Sequence, residues 1–109
     1  MKATPPPTII AVTKTLPLSA IESAIENNIF HIGENKIQET EIKFKDKKKH
    51  PKMILHLIGH LQKNKAKKAV KLYDYIQTID SIPLAKKVNN IAQEENKIQK
   101  IFLQINIGN

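Results

Sequence analysis

Residues 9–17 read IIAVTKTLP. Ile9, Ile10, Ala11 and Val12 have the composition of a short strand buried on both faces, as in a parallel sheet covered by helices. The run then stops at Thr13-Lys14-Thr15. A lysine at the end of such a strand must extend to water along its own stem, pair with an anion, or bond covalently to a ligand. Burying an unpaired ammonium costs several kcal/mol and lowers its pKa from about 10.4. The covalent option needs a partly neutral, nucleophilic amine, the condition for Schiff-base chemistry with an aldehyde. The first option needs only a flexible stem. This stretch alone leaves all three open.

Further along the chain, IFHI (29–32), MILHLI (53–58), YIQTI (75–79) and IFLQINI (101–107) repeat the pattern of TIIAV (8–12). Counted from Ile9, Ile29, Ile54, Tyr75 and Ile101, the spacings are 20, 25, 21 and 26 residues. Each segment is short and rich in Ile, Val or Phe, which predicts five strands. The intervals predict helices. Ser19 and Glu22 have capping-box spacing ahead of an Ile21, Ala24, Ile25 stripe. Residues 35–45 offer Ile37 and Phe44 as an inner face. Asn64 is a candidate cap for a helix whose apolar side is Ala66, Ala69, Val70 and Tyr73. Ser81, followed by Pro83, caps a last helix with Leu84, Ala85, Val88, Ile91 and Ala92 inside.

Four strand–helix units and a fifth strand predict an α/β fold with a parallel sheet and right-handed crossovers. A small doubly wound sheet and part of a TIM-type (β/α) barrel both satisfy the pattern. At the mean period of 23 residues, eight units would need roughly 180 residues, a compact barrel. The 109 residues here are about half of one.

The chain carries a formal charge of +8, from eighteen lysines and no arginine. Such a charge attracts nucleic acid or anionic membrane, yet arginine is the better residue for bidentate phosphate contacts. Lys63, Lys67 and Lys71 nonetheless give one basic helix face, so a lysine-rich nucleic-acid-binding domain is the alternative function. KFKDKKKHPK (43–52) reads as a solvated helix end and loop. There are no cysteines, which excludes disulfides and thiolate metal sites and suits a cytoplasmic protein. Histidines and carboxylates do not fall at metal-ligand spacing, so no metal is expected. MKATPPP and the short apolar run after it form neither a signal peptide nor a membrane span.

Ligands of parallel α/β folds bind at the C-terminal ends of the strands. Those ends collect Lys14, Asn35, His60, Asp80 and Asn106. Asp80 and Ser81 also read as a loop start and a cap, Gly33 and Gly59 as turn glycines, and His31 and His56 as structural histidines within strands.

At these positions the sequence resembles the YggS/PROSC-type pyridoxal phosphate homeostasis proteins, which share the alanine-racemase N-terminal barrel fold. AVTKTLP is similar to that family's AVSKTKP, IGENKIQE to FGENYVQE, and LHLIGHLQKNKAK to the block around WHFIGxLQxNK. QTIDSIPLAKKVN and FLQINIGN resemble two later blocks, all five in order along almost the whole chain. The resemblance implies a partial barrel domain over 1–109 that binds pyridoxal 5′-phosphate (PLP) as a Schiff base on Lys14, with Asn35 beside the cofactor. It implies PLP homeostasis without catalytic turnover, with PLP-dependent apoenzymes as recipients, and no racemase activity. Family members are about twice this length and hold the phosphate with residues of the second half. The expectation is therefore a truncated or split form, completed by a second chain or by a homodimer.

Overall fold

The computed structural model describes residues 9–13, 16–45 and 50–104. Strands and helices alternate: β1 (Ile10–Val12), α1 (Leu18–Glu26), β2 (His31–Glu34), α2 (Ile37–Lys43) and β3 (Ile54–Leu57). A 3-10 turn at Lys63–Lys65 leads into α3 (Ala66–Leu72), followed by β4 (Tyr75–Ile79), α4 (Ile82–Glu94) and β5 (Lys100–Leu103). The strands are parallel and lie in chain order, so β1 and β5 are the edges of the sheet.

That order decides between the two architectures. A doubly wound sheet reverses its strand order at a switch point and so carries helices on both faces. Here the order never reverses, and crossovers of constant hand put every helix on one face. The core agrees. Ile21 of α1, Ala69 and Val70 of α3, and Leu84 and Val88 of α4 share one buried cluster with Ile32, Leu55, Leu57 and Ile76. Ile37 of α2 packs against the same cluster. The register places Ala11, Ile32 and Leu55 in one row and Leu57, Ile76 and Ile101 in another, so a single sheet face supplies these residues. Each fully buried Leu or Ile contributes about 1.5–3 kcal/mol. A parallel sheet wound in one direction is the wall of a (β/α) barrel, opened out.

The other face carries a ladder of rings. His31, His56, Tyr75 and Phe102 follow one another across β2 to β5, with centroids 5.1, 4.6 and 6.0 Å apart. His56 Nδ1 is 2.8 Å from Gln77 Nε2, and its Nε2 is 2.9 Å from His31 Nδ1. With the Gln77 amide nitrogen donating to Nδ1, neutral His56 carries its proton on Nε2 and donates it to His31. Burial lowers the His56 pKa to about 4, aided by nearby His31 and opposed by Asp74. Both histidines have structural partners, as expected from the sequence.

Several boundaries differ from the sequence reading. The IFHI segment begins its strand two residues late, at His31. Asn28 adopts the left-handed region (φ 61°), and Ile29 N–H donates to Ala24 O while Asn28 N–H donates to Ile25 O. This Schellman closure of α1 occupies Ile29 before a strand can start. Asn96 (φ 52°) closes α4 in the same way. The capping box at Ser19 does not form: Pro17 stands at the boundary with no side-chain cap, and Ser19 lies inside α1. Proline already fixes the backbone angle that a first turn needs. Asn64 is not a cap either, because it sits within the 3-10 turn and Lys65 precedes α3. Ser81 does cap α4, its Oγ accepting from Leu84 N–H at 3.3 Å.

The glycines do not serve turn geometry, since none of the described ones has a positive φ. A Cβ on Gly59 would lie 2.0 Å from the Asn35 carbonyl oxygen, and one on Gly33 would lie 3.1 Å from Ile10 Cγ2. Both are glycines of close approach. The segment at 43–52 is not uniformly solvated, because Lys43 turns inward; residues 46–49 lie outside the described residues. β5 ends at Leu103, and the remainder of IFLQINI beyond Gln104 also lies outside them.

Candidate functional site

The end of β1 is fixed by a buried polar cluster. Thr13 follows β1, is almost fully buried, and its N–H donates to Gly33 O of β2 at 3.0 Å. Its hydroxyl donates to Glu34 Oε2. The Glu34 side chain is wholly removed from solvent, yet Lys43 of α2 reaches it, with Nζ 2.9 Å from both carboxylate oxygens. The same ammonium donates to Thr13 O at 2.6 Å. Lys43 thus has a partner for each of its three N–H groups, and both Glu34 oxygens are paired. A buried ion pair is tolerable only when its remaining polar capacity is satisfied in this way.

α2 is held a second time from its own middle. Thr40 Oγ1 donates to Lys36 O at 3.1 Å and lies 2.5 Å from Tyr73 OH, which therefore donates to it. Burial pushes the Tyr73 pKa up to about 12, so the phenol stays protonated and remains a donor.

At the next two strand ends, Asn35 follows β2 and the Gly59-His60 pair follows β3. Ile58 N–H donates to Glu34 O at 2.9 Å, and the Asn35 backbone passes directly over Gly59. Asn35 and His60 open onto a cleft of about 500 Å³, whose wall also includes Lys36, Gln38, Gln62 and Lys65. The cleft offers amide, imidazole and ammonium groups and contains no carboxylate, so it suits a polar or anionic ligand.

The structure therefore brings together two of the residues expected at this edge, Asn35 and His60. Asp80 is exposed at the end of β4 and does not line the cleft. Lys14 and Asn106 lie outside the described residues; Lys14 is joined through its peptide bond to the buried Thr13. Sequence reasoning passed over Glu34 and Lys43. Their nine-residue spacing across a strand end and a helix carries no motif, and Lys43 opens a lysine-rich run of sequence. Among the described residues, no cluster of three His, Cys, Asp or Glu side chains could hold a metal ion. None of the described helices is long and apolar enough to cross a membrane.

The chain matches the family described as "Alanine racemase, N-terminal domain" over residues 1–109. It is 38% identical over 107 residues to the pyridoxal phosphate homeostasis protein of Synechocystis sp., covering 96% of this chain and 49% of that protein. Among solved structures it is similar to PipY of Synechococcus elongatus without PLP, with a TM-score of 0.82 and 38% identity, covering 95% of this chain and 49% of PipY. The structure of PipY with PLP bound gives the same TM-score and identity, with coverage of 94% and 50%. The chain spans about half the length of the relatives it matches. With five parallel strands in barrel order and a match along its whole length, the chain belongs to the alanine racemase N-terminal domain family and has part of that family's (β/α) barrel fold.

Proposed function

We propose that this chain binds PLP covalently through Lys14 at the C-terminal edge of its sheet and serves PLP homeostasis in the cytoplasm without catalytic turnover. The observation that carries the reading is the anchoring of Thr13. The residue immediately before Lys14 is buried at the end of β1 and tied to β2 and α2, on the edge where Asn35 and His60 open their cleft. Relatives named as PLP homeostasis proteins, and PipY with PLP bound, support the choice of ligand.

The donor set of this edge fits one side of the cofactor. When bound, PLP would supply an aldehyde able to condense with the Lys14 amine, with loss of water. Asn35 and His60 would offer hydrogen-bonding groups to such a polar ligand, and Lys36 and Lys65 would attract its dianionic phosphate. These lysines flank the cleft as flexible point charges, so a firm grip on the phosphate falls to the remaining units of the barrel, in a longer chain, a second polypeptide or a second copy. β1 and β5 as edge strands among the described residues, and the exposure of Val12 (49%) and Phe102 (54%), support that completion. Residues 1–109 are then a partial domain, and PLP-dependent apoenzymes are its recipients.

The test is spectroscopic. Titration with PLP is expected to give the visible absorption of a Schiff base, and Lys14→Ala is expected to abolish it. Identical spectra for the two proteins would rule the reading out. The alternative, nucleic-acid binding through the Lys63, Lys67 and Lys71 face, has less support, since Lys71 lies 3.9 Å from Glu95. It predicts salt-dependent retention on DNA or RNA, strongest at low ionic strength.

A further inference from the structure

β4 does not run evenly against β5. Their register pairs Ile76 with Ile101 and Ile79 with Leu103, so Gln77 and Thr78 together stand opposite Phe102. Two residues against one make a β-bulge, a feature that re-aims side chains and recurs beside binding sites. Both bulged residues reach toward β3. Gln77 Nε2 lies 2.8 Å from His56 Nδ1 on the ring face, and Thr78 Oγ1 donates to Gly59 O at 2.5 Å. The backbone register of β3 with β4 ends at Leu57 and Ile76, and the same offset carried two residues further sets Gly59 opposite Thr78. The Thr78 hydroxyl thus takes over where the backbone ladder stops.

We propose that Thr78 is a positioning residue for the cleft: through the Gly59 carbonyl it fixes the peptide group that leads into His60 and the surface against which Asn35 lies. The inference deepens the reading of this edge as the PLP site and rests on it. Gly59 is held from two sides. From β4, Thr78 binds its carbonyl; from the end of β2, the Asn35 backbone passes so close that an added Cβ on Gly59 would collide with Asn35 O. A peptide group is planar, so fixing the Gly59 carbonyl also sets the direction in which His60 leaves the strand. Asn35 and His60 line the cleft, whereas Thr78 does not. Gly59 is buried and His60 is exposed, so the anchor lies beneath the wall that it orients. Threonine suits this task, because its β-branched side chain has few χ1 rotamers and holds the hydroxyl in a set direction.

The informative variants are Thr78→Val, which keeps the shape and deletes the donor, and Thr78→Ser, which keeps the donor. Titration of the full chain with PLP, read by Schiff-base absorption, is expected to give a dissociation constant raised about three- to tenfold in Thr78→Val, the range covered by one lost neutral hydrogen bond. Thr78→Ser is expected to bind nearly as wild type. Amide NMR spectra without ligand are expected to show the His60 and Asn35 signals displaced in Thr78→Val and restored in Thr78→Ser. A general loss of stability would not produce this pattern in a variant that circular dichroism shows to be folded. A folded Thr78→Val that binds PLP as tightly as wild type overturns the positioning role. So does a Thr78→Ser that binds as weakly as Thr78→Val, because the hydroxyl is then not the group that matters. If Thr78→Val fails to fold, Thr78→Ala removes the same donor without the branched side chain and is read by the same outcomes. A wild type that gives no absorption with PLP refutes the PLP reading, and the positioning role falls with it. Normal wild-type absorption with unchanged binding in the variant refutes the positioning role alone.

Discussion

Lys43 Nζ lies 2.9 Å from each carboxylate oxygen of Glu34, whose side chain has no contact with solvent. The contact joins the end of β2 to α2 and, through the Thr13 carbonyl, to the end of β1. Two strand ends and a helix are thus locked together.

Breaking this contact from one side is expected to be expensive. Lys43→Met leaves the Glu34 carboxylate buried with, among the described residues, only the Thr13 hydroxyl hydrogen-bonded to it, and removing one partner of a buried pair costs about 3–5 kcal/mol. Chemical denaturation of the single variant should show a loss of that order, and adding Glu34→Gln should recover most of it. A single variant within about 1 kcal/mol of wild type would mean that the carboxylate finds water or another partner, contrary to its burial.

Gly59 gives a steric prediction. An added Cβ would lie 2.0 Å from Asn35 O and 2.4 Å from Asn35 Oδ1, and the first of these is backbone that cannot swing away. Gly59→Ala is therefore expected to shift the Asn35 segment and to cost about 1–3 kcal/mol, as overpacking does. Thermal unfolding measures the cost, and unchanged stability would show that the two loops separate freely. Because Asn35 borders the cleft, the same variant should weaken PLP uptake in the titration described above.

The sequence made the fold legible because its signal is periodic. Five apolar runs at intervals near 23 residues can hardly be anything but strands of a parallel sheet, and the YIQTI run coincides with β4. The inner faces of α3 and α4 were legible for the same reason: Ala66, Ala69, Val70 and Tyr73, then Leu84, Val88 and Ala92, recur at helical spacing. Helix ends were harder to read. Ser19-x-x-Glu22 has the letters of a capping box, but Pro17 had already set the turn, and Asn28 and Asn96 act as left-handed closures where glycine is the usual signal. At the site, Asn35 and His60 were visible because they follow strand ends. Glu34 and Lys43 were not, because a charge in a strand and a charge in a lysine-rich run both read as surface until three-dimensional contact pairs them.

Capping separates two serines that look alike in sequence. Ser81 Oγ accepts from Leu84 N–H, so Ser81→Ala should cost about 0.5–2 kcal/mol. Ser19 lies within α1, exposed and without a capping role, and Ser19→Ala should be neutral or slightly stabilising because alanine is the better helix former. Denaturation midpoints of the two variants check the contrast, and equal losses would contradict the boundary at Pro17.

His56 ties stability to pH in a defined window. Its pKa falls from the ordinary 6.5 to about 4 in the folded chain, chiefly through burial, with His31 lowering it further and Asp74 opposing. Its neighbours on the sheet face are the His31 ring, the Gln77 amide and the Tyr75 ring, with Lys100 Nζ 5.1 Å from the centroid of Tyr75. A depressed pKa means that the unfolded chain takes up the proton first. Stability from neutral His56 is thus fully present above pH 6.5, falls as pH drops below that value, and is lost by about pH 4. Carboxylates begin to titrate toward the lower end of this range, so the histidine contribution is cleanest above about pH 5. Thermal unfolding of wild type and His56→Gln across the window should give curves that converge as pH falls, because the variant has no proton to gain at that position. Curves that stay parallel would show that the His56 proton is bound equally in both states, and that the ring ladder leaves its basicity unchanged.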